Sequence, residues 1–279
     1  VDTLAKLPFD KEETPAGAYF RIYVKGLKGG HSGDDINKGL GCANKLLNRI
    51  LWAADKEMDM RLATFDGGNL RNAIAREAYA DVVVMEQEAE DLKQLVAKYS
   101  DELRYEFRTT EPNMQVGIEA IPMPEFVVDM LSQDNLLNVL YACPHGVLAM
   151  SREIPGFVET STNLASVKMQ EDHFFITTSQ RSSLESAKDA AASRVESCFL
   201  LAGADVEHTD GYPGWSPNTD SYVLKVAVES YKRLFGKEPI VRAIHAGLEC
   251  GLIGEKYQGM DMISYGPTLR GVHSPEERL

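Results

Sequence analysis

Between residues 19 and 201 the order strand, helix, strands, helix is written twice, and this recurrence restricts the fold more than any other feature of the 279-residue chain. In the first round residues 19–25 alternate like a strand, and residues 36–54 place Leu40, Ala43, Leu46, Leu47, Ile50 and Leu51 on one helical face. Asp34 or Asp35 is the expected cap of that helix. Extended segments follow at 60–66, 72–75 and 79–84, then a charged amphipathic helix at 86–99. In the second round residues 103–108 read as a strand and 124–142 as a helix. Strands follow at 146–150, 164–169 and 174–178, then a helix at 183–201 capped by Ser182 or Ser183. The two rounds share architecture, not sequence. They predict an α+β fold: two ferredoxin-like repeats, about 18–100 and 101–203, side by side in one antiparallel sheet with helices on one face.

Outside the rounds the pattern differs. Residues 1–17 are rich in proline and charge and read as an extended lead-in. After Gly203 the order becomes strand (205–208), helix (220–235, closed by Gly236 as its C′ residue), strand (239–244), helix (from Leu248) and strand (261–264). That is the beginning of a parallel α/β sheet, too short to be a whole one, so a boundary is expected near Gly203. The chain opens on Val1 with no initiating methionine and closes on Ser274-Pro275-Glu276-Glu277, helix-start chemistry with no helix after it; both features suggest an excerpt of a longer protein.

Composition narrows the function classes. With 44% hydrophobic and 25% charged residues the chain can bury a sizeable core. A net charge of −13 argues against nucleic acid or an acidic membrane as partner. No apolar run approaches a membrane span, and the first residues lack the shape of a signal peptide. Cys42, Cys143, Cys198 and Cys250 are scattered in apolar surroundings and read as reduced residues of a cytoplasmic protein.

Several side chains stand where chemistry is done. His31 lies in Gly26-Leu27-Lys28-Gly29-Gly30-His31-Ser32-Gly33, a glycine-rich turn between a strand and a helix. Spacing alone leaves it open between a positioned imidazole and a turn whose histidine is merely exposed. Arg181, among Ser179, Ser182 and Ser183 after a strand and before a helix, suits a carboxylate; an ordinary surface arginine fits the same pattern. Asn72 and Asn163, near strand edges, can orient a peptide backbone or simply form turns. His245 and Glu249 flank a strand-to-helix turn on the edge where open α/β sheets bind ligands. His273 is expected on the same edge, but one ligand makes no metal site. His208-Thr209-Asp210 and Glu12-Glu13 imitate metal and base motifs without the context that those motifs need, and His145 and His173 sit in turns outside any constellation.

Taken in order, Lys25 to Gly33 with Asn44-Lys45-Leu46-Leu47, then Gly67-Gly68-Asn69-Leu70-Arg71-Asn72-Ala73-Ile74, Glu159 to Ala165, His245 to Gly251, and Gly266-Pro267 through Glu277 resemble M20-family metallopeptidases, in particular the aminoacyl-histidine dipeptidase group. The resemblance runs the whole chain. It implies a lid domain at 18–203, entered from 1–17, followed at 204–279 by the C-terminal part of a zinc-peptidase-like α/β catalytic domain, incomplete in this chain. It implies hydrolysis of Xaa-His and other unblocked dipeptides by water held between two divalent metal ions, zinc being expected. His31 would stabilise the oxyanion and Arg181 would pair with the substrate carboxylate. Asn72, Asn163, His245 and Glu249 would contact substrate, and His273 would ligate metal. Most of the family's metal ligands and its general base have no counterpart in these residues, so the chain alone is expected to be inactive. Two further readings stay open: a non-catalytic lid that binds substrate or dimerises, giving a homodimer through the lid, and an aminoacylase-like hydrolase.

Overall fold

The computed structural model describes residues 1–211, 213–215, 218, 220–241, 243, 249–269 and 277–279. In chain order the elements are β1 (Asp2–Pro8), β2 (Lys11–Glu13), β3 (Ala18–Lys25), α1 (Ala43–Glu57), β4 (Arg61–Gly67), β5 (Ala78–Val84), α2 (Ala89–Glu106), β6 (Gln115–Ala120), β7 (Phe126–Val128), α3 (Met130–Ala142), β8 (Gly146–Met150), β9 (Val158–Met169), β10 (His173–Ser182), α4 (Glu185–Leu201), β11 (Asp205–His208), α5 (Tyr222–Phe235) and α6 (Glu249–Lys256).

One antiparallel sheet runs β11-β1-β10-β9-β4-β5-β3-β6, with β8 beside β9. Two ferredoxin-like orders are contained in it. The strands β3, β4, β5 and β6, with α1 and α2 between them, lie in the order 4-1-3-2 counted from β6. The strands β1, β9, β10 and β11, with α3 and α4, lie in the same order counted from β11. The first unit is thus inserted after the opening strand of the second. The units meet through β4 and β9, where Asp66 faces Lys168 and Gly67 faces Val167.

Alternation explains the layering. Phe20, Ile22 and Val24 of β3 and Ala5 and Leu7 of β1 are buried toward the helices, in one core with Leu47, Ile50 and Leu51 of α1 and Val195 and Phe199 of α4. Burying each large aliphatic side chain contributes roughly 1.5–3 kcal/mol. On the opposite face a small cluster, Ala63, Val83 and Val127 with Tyr19, sits under the β2–β7 ribbon. Lys45 of α1 links the helices of the two units. Its ammonium donates to the carbonyls of Leu140, Tyr141 and Cys143 at 2.6, 2.8 and 2.8 Å, capping the C-terminus of α3. Burial pushes the Lys45 pKa down.

The structure corrects several local expectations. Residues 103–108 are not a strand. Through Glu106 they belong to α2, since of Leu103, Tyr105 and Phe107 only Leu103 is buried and Tyr105 is 69% exposed. Residues 2–8, read as lead-in, are an interior strand between β10 and β11. The helix expected from residue 36 begins at Ala43, after Gly39 in the left-handed region and Gly41. Asp35 therefore caps no helix; its carboxylate accepts from the His31 N–H at 2.7 Å. Residues 126–128 are strand, and α3 follows a cap by Asp129, which accepts from Ser132 N–H. Neither serine caps α4: Leu184 holds the cap position, and Ser182 accepts its N–H. Both β9 and β10 extend further than their alternation suggested, because each is paired on both sides. The strands expected at 239–244 and 261–264 are not found: the described residues of both segments form no strand. The C-terminal cap of α5 is as expected, Gly236 at φ 65°.

Candidate active site at the junction of the two units

The loop from Gly26 to Cys42 leaves β3 and is pinned at two points by one buried carboxylate. Glu111 accepts from Lys28 N–H at 2.8 Å and from Gly41 N–H at 2.9 Å. Along its near side runs the segment after β4. Ser32 N–H donates to the Asn72 carbonyl and Ile74 N–H to the Gly30 carbonyl, both at 2.9 Å, and His31 faces Ala73 in a β-bridge. That segment starts with Gly68 at φ 64°, where a β-carbon would lie 1.9 Å from the Ala165 carbonyl oxygen. Only glycine lets these two segments of the chain approach so closely.

Within this loop the imidazole of His31 is held by the backbone. Its Nδ1 accepts from Gly33 N–H at 3.1 Å and from Asp34 N–H at 3.2 Å. A nitrogen that accepts carries no proton, so the neutral ring carries its hydrogen on Nε2 and presents it as a donor. A side chain at position 33 would crowd the ring: a β-carbon on Gly33 would stand 3.1 Å from it.

Arg181 reaches the same place from β10, in the other unit. Its Nε donates to Ser32 Oγ at 3.2 Å. The point where a Gly33 β-carbon would stand is 3.6 Å from Arg181 Cδ, so imidazole and arginine stem flank one spot. Burial lowers the Arg181 pKa, opposed by Asp2 and Asp34 and assisted by Arg71. Among the described residues no carboxylate lies within ion-pair distance of the guanidinium, and Asp2 is paired instead with Arg71 at 3.0 Å. A poorly solvated cation without a direct counter-ion gains from an incoming carboxylate.

Asn163, fully buried in β9, joins the parts. Its Nδ2 donates to the Ala73 carbonyl at 2.9 Å and to that of Arg71 at 3.4 Å, while its Oδ1 is buried with no hydrogen-bond partner among the described residues. Beside it, Leu164 N–H donates to Nδ1 of His145 at 3.1 Å, and burial brings the His145 pKa down to about 4.

The structure therefore brings together His31, Arg181, the Asn72 backbone and Asn163. Glu249 opens α6, exposed, and makes no hydrogen bond to these four among the described residues. His245 and His273 lie outside the described residues. The two imitations are occupied within the fold: His208 by Thr3 Oγ1 at 3.0 Å and Glu196 at 3.3 Å, Glu12 by Arg61. Sequence reasoning missed Ser32, Glu111 and His145. Only Ser32, beside His31, gave a signal, since the other two act on partners 70–83 and 19 residues away along the chain.

A family model described as a peptidase dimerisation domain, M20_dimer, matches residues 17–111. The whole chain aligns at 42% identity with the cytosol non-specific dipeptidase of Escherichia coli strain K12, covering 58% of that protein. The crystal structure of aminoacylhistidine dipeptidase from Vibrio alginolyticus superposes with a TM-score of 0.89 at 38% identity, over 99% of this chain and 56% of that one. The chain is thus similar to an M20 peptidase dimerisation domain over residues 17–111 and to these two dipeptidases along its whole length. It spans a little over half the length of these relatives.

Proposed function

We propose that this chain supplies the substrate-gripping and transition-state contacts of a metal-dependent dipeptidase acting on unblocked dipeptides, Xaa-His among them. The observation that carries the reading is the meeting of His31 and Arg181 across the unit junction. In the proposed reaction Arg181 pairs with the α-carboxylate of the substrate. His31 donates from Nε2 to the oxygen of the scissile carbonyl as negative charge develops there, a contact worth on the order of 10²–10³ in rate in comparable sites. Asn163 holds the segment that carries Asn72 against the His31 loop, and the Asn72 side chain is proposed to face the substrate backbone with His245 and Glu249.

Metal chemistry belongs to the proposal in a limited way. Among the described residues no three His, Cys, Asp or Glu side chains converge as a metal site, so these residues do not by themselves compose one. His273 is proposed as a ligand on resemblance alone. Two divalent ions, zinc by expectation, would supply the activated water in a polypeptide of full family length. The lid, expected at 18–203, also takes in β1 (Asp2–Pro8) and β11 (Asp205–His208), which complete the sheet of the second unit; 2–208 are proposed as the lid and 209–279 as part of the catalytic domain. No helix among the described residues is long and apolar enough to cross a membrane, and a cytoplasmic location is proposed. A homodimer through the lid is proposed from the matched family model and the open edge of β6.

The test is hydrolysis by the metal-loaded polypeptide of full family length, offered β-Ala-His, Leu-Gly, their C-terminal amides and N-acetylated amino acids. The reading expects cleavage of the free dipeptides only, and no cleavage by the 279 residues alone. Preference for N-acetylated amino acids would replace it with the aminoacylase reading. Light scattering checks the dimer, and a strict monomer at high concentration would refute it.

A further inference from the structure

We propose that Ser32 is a positioning residue that sets how long a substrate the site accepts. The proposal rests on the dipeptidase reading and deepens it. Ser32 is almost fully buried and follows His31 directly in the chain. Its N–H is fixed to the Asn72 carbonyl, and its hydroxyl accepts from Arg181 Nε across the junction of the two units. One residue therefore holds the oxyanion donor on one side and the carboxylate seat on the other.

With Nε engaged, the guanidinium keeps its two terminal nitrogens for ligands, and neither makes a hydrogen bond to any described residue. A carboxylate is then gripped end-on by the Nη pair, at a reach from the imidazole that Ser32 and the Gly33 gap define together. Ring and arginine stem flank the same spot, at 3.1 and 3.6 Å from it. A dipeptide carries its carboxylate one residue beyond the scissile carbonyl, a separation of about 3.3–3.6 Å along extended chain. A tripeptide cleaved at its first bond carries it about twice as far. A guanidinium released from Ser32 can swing about its stem, and the short reach is no longer enforced.

The experiment uses the metal-loaded polypeptide of full family length. Ser32→Ala, Ser32→Thr and Arg181→Ala are compared with the parent on Leu-Gly, Leu-Gly amide and Leu-Gly-Gly, with thermal unfolding recorded for each. Ser32→Ala is expected to raise KM for Leu-Gly about ten-fold with kcat within about two-fold, the loss of one charge-assisted hydrogen bond that orients but does not react. It is also expected to narrow the preference for Leu-Gly over Leu-Gly-Gly by about ten-fold. Ser32→Thr, which keeps the hydroxyl, restores the preference. If Ser32→Ala melts early, the dipeptide-to-tripeptide ratio still decides, because instability alone lowers both rates together. An unchanged ratio in Ser32→Ala, while Arg181→Ala abolishes the preference for carboxylate over amide, overturns the Ser32 proposal and leaves the dipeptidase reading standing. An Arg181→Ala variant that keeps the carboxylate preference overturns that reading itself.

Discussion

Acid should weaken this fold through His145 before it reaches most carboxylates. The ring accepts the Leu164 N–H at 3.1 Å, and burial, with a smaller push from the charge on Lys45, lowers its pKa from 6.5 to about 4. In the unfolded chain the ring takes a proton near pH 6.5. Between those values the unfolded state binds a proton that the folded state refuses, so stability is fully present above about pH 6.5 and falls as pH drops toward 4. A shift of that size corresponds to about 3 kcal/mol at pH 4. His145→Asn keeps an acceptor for Leu164 and removes the titration. Urea unfolding of both proteins from pH 7.5 to pH 4 should show the variant gaining about 3 kcal/mol relative to the parent over that range. Parallel curves would mean that His145 takes up its proton inside the fold, and would refute the assignment of a neutral buried ring beside Asn163.

Other perturbations follow from the loop supports. Glu111→Ala leaves the N–H groups of Lys28 and Gly41 without their acceptor and should cost roughly 3 kcal/mol or more, with faster amide exchange at both positions. Gly68→Ala forces a β-carbon toward the Ala165 carbonyl in a left-handed conformation, and should lower stability by about 3 kcal/mol in denaturant titration. Lys45→Met uncaps α3 and strips three carbonyls of their donor; a loss of about 3 kcal/mol is expected in the same assay, together with faster exchange at the end of α3.

What could be read from the sequence was local, and what was missed depended on distant partners. The α+β character was legible from periodicity, but the repeats, expected at about 18–100 and 101–203, are bounded differently: the first unit runs on to β6 and the second opens with β1. The glycine-rich turn singled out His31 without deciding between a positioned imidazole and an exposed one. The first strand was not legible, because its pairing partners at 173–179 and 205–208 lie far along the chain. Residues 103–108 alternate apolar and polar, but their surroundings leave Tyr105 in water and the segment stays helical. Arg181 was placed just beyond a strand; it lies within β10, whose final residues pair with β9. Asn163 is a surface turn-former by composition, yet it is fully buried because β9 is flanked on both sides. Its job of holding the segment 71–73 across about 90 residues of chain carries no sequence signal.

The central claim is that two ferredoxin-like units meet so that one provides the oxyanion donor and the other the carboxylate seat. The most direct measurement is the kinetics of His31→Ala and Arg181→Ala on a free dipeptide, in the metal-loaded polypeptide of full family length. The account predicts a fall of about 10²–10³ in kcat with little change in KM for His31→Ala, and chiefly a rise in KM for Arg181→Ala. Parent-like kcat in His31→Ala together with parent-like KM in Arg181→Ala would contradict it.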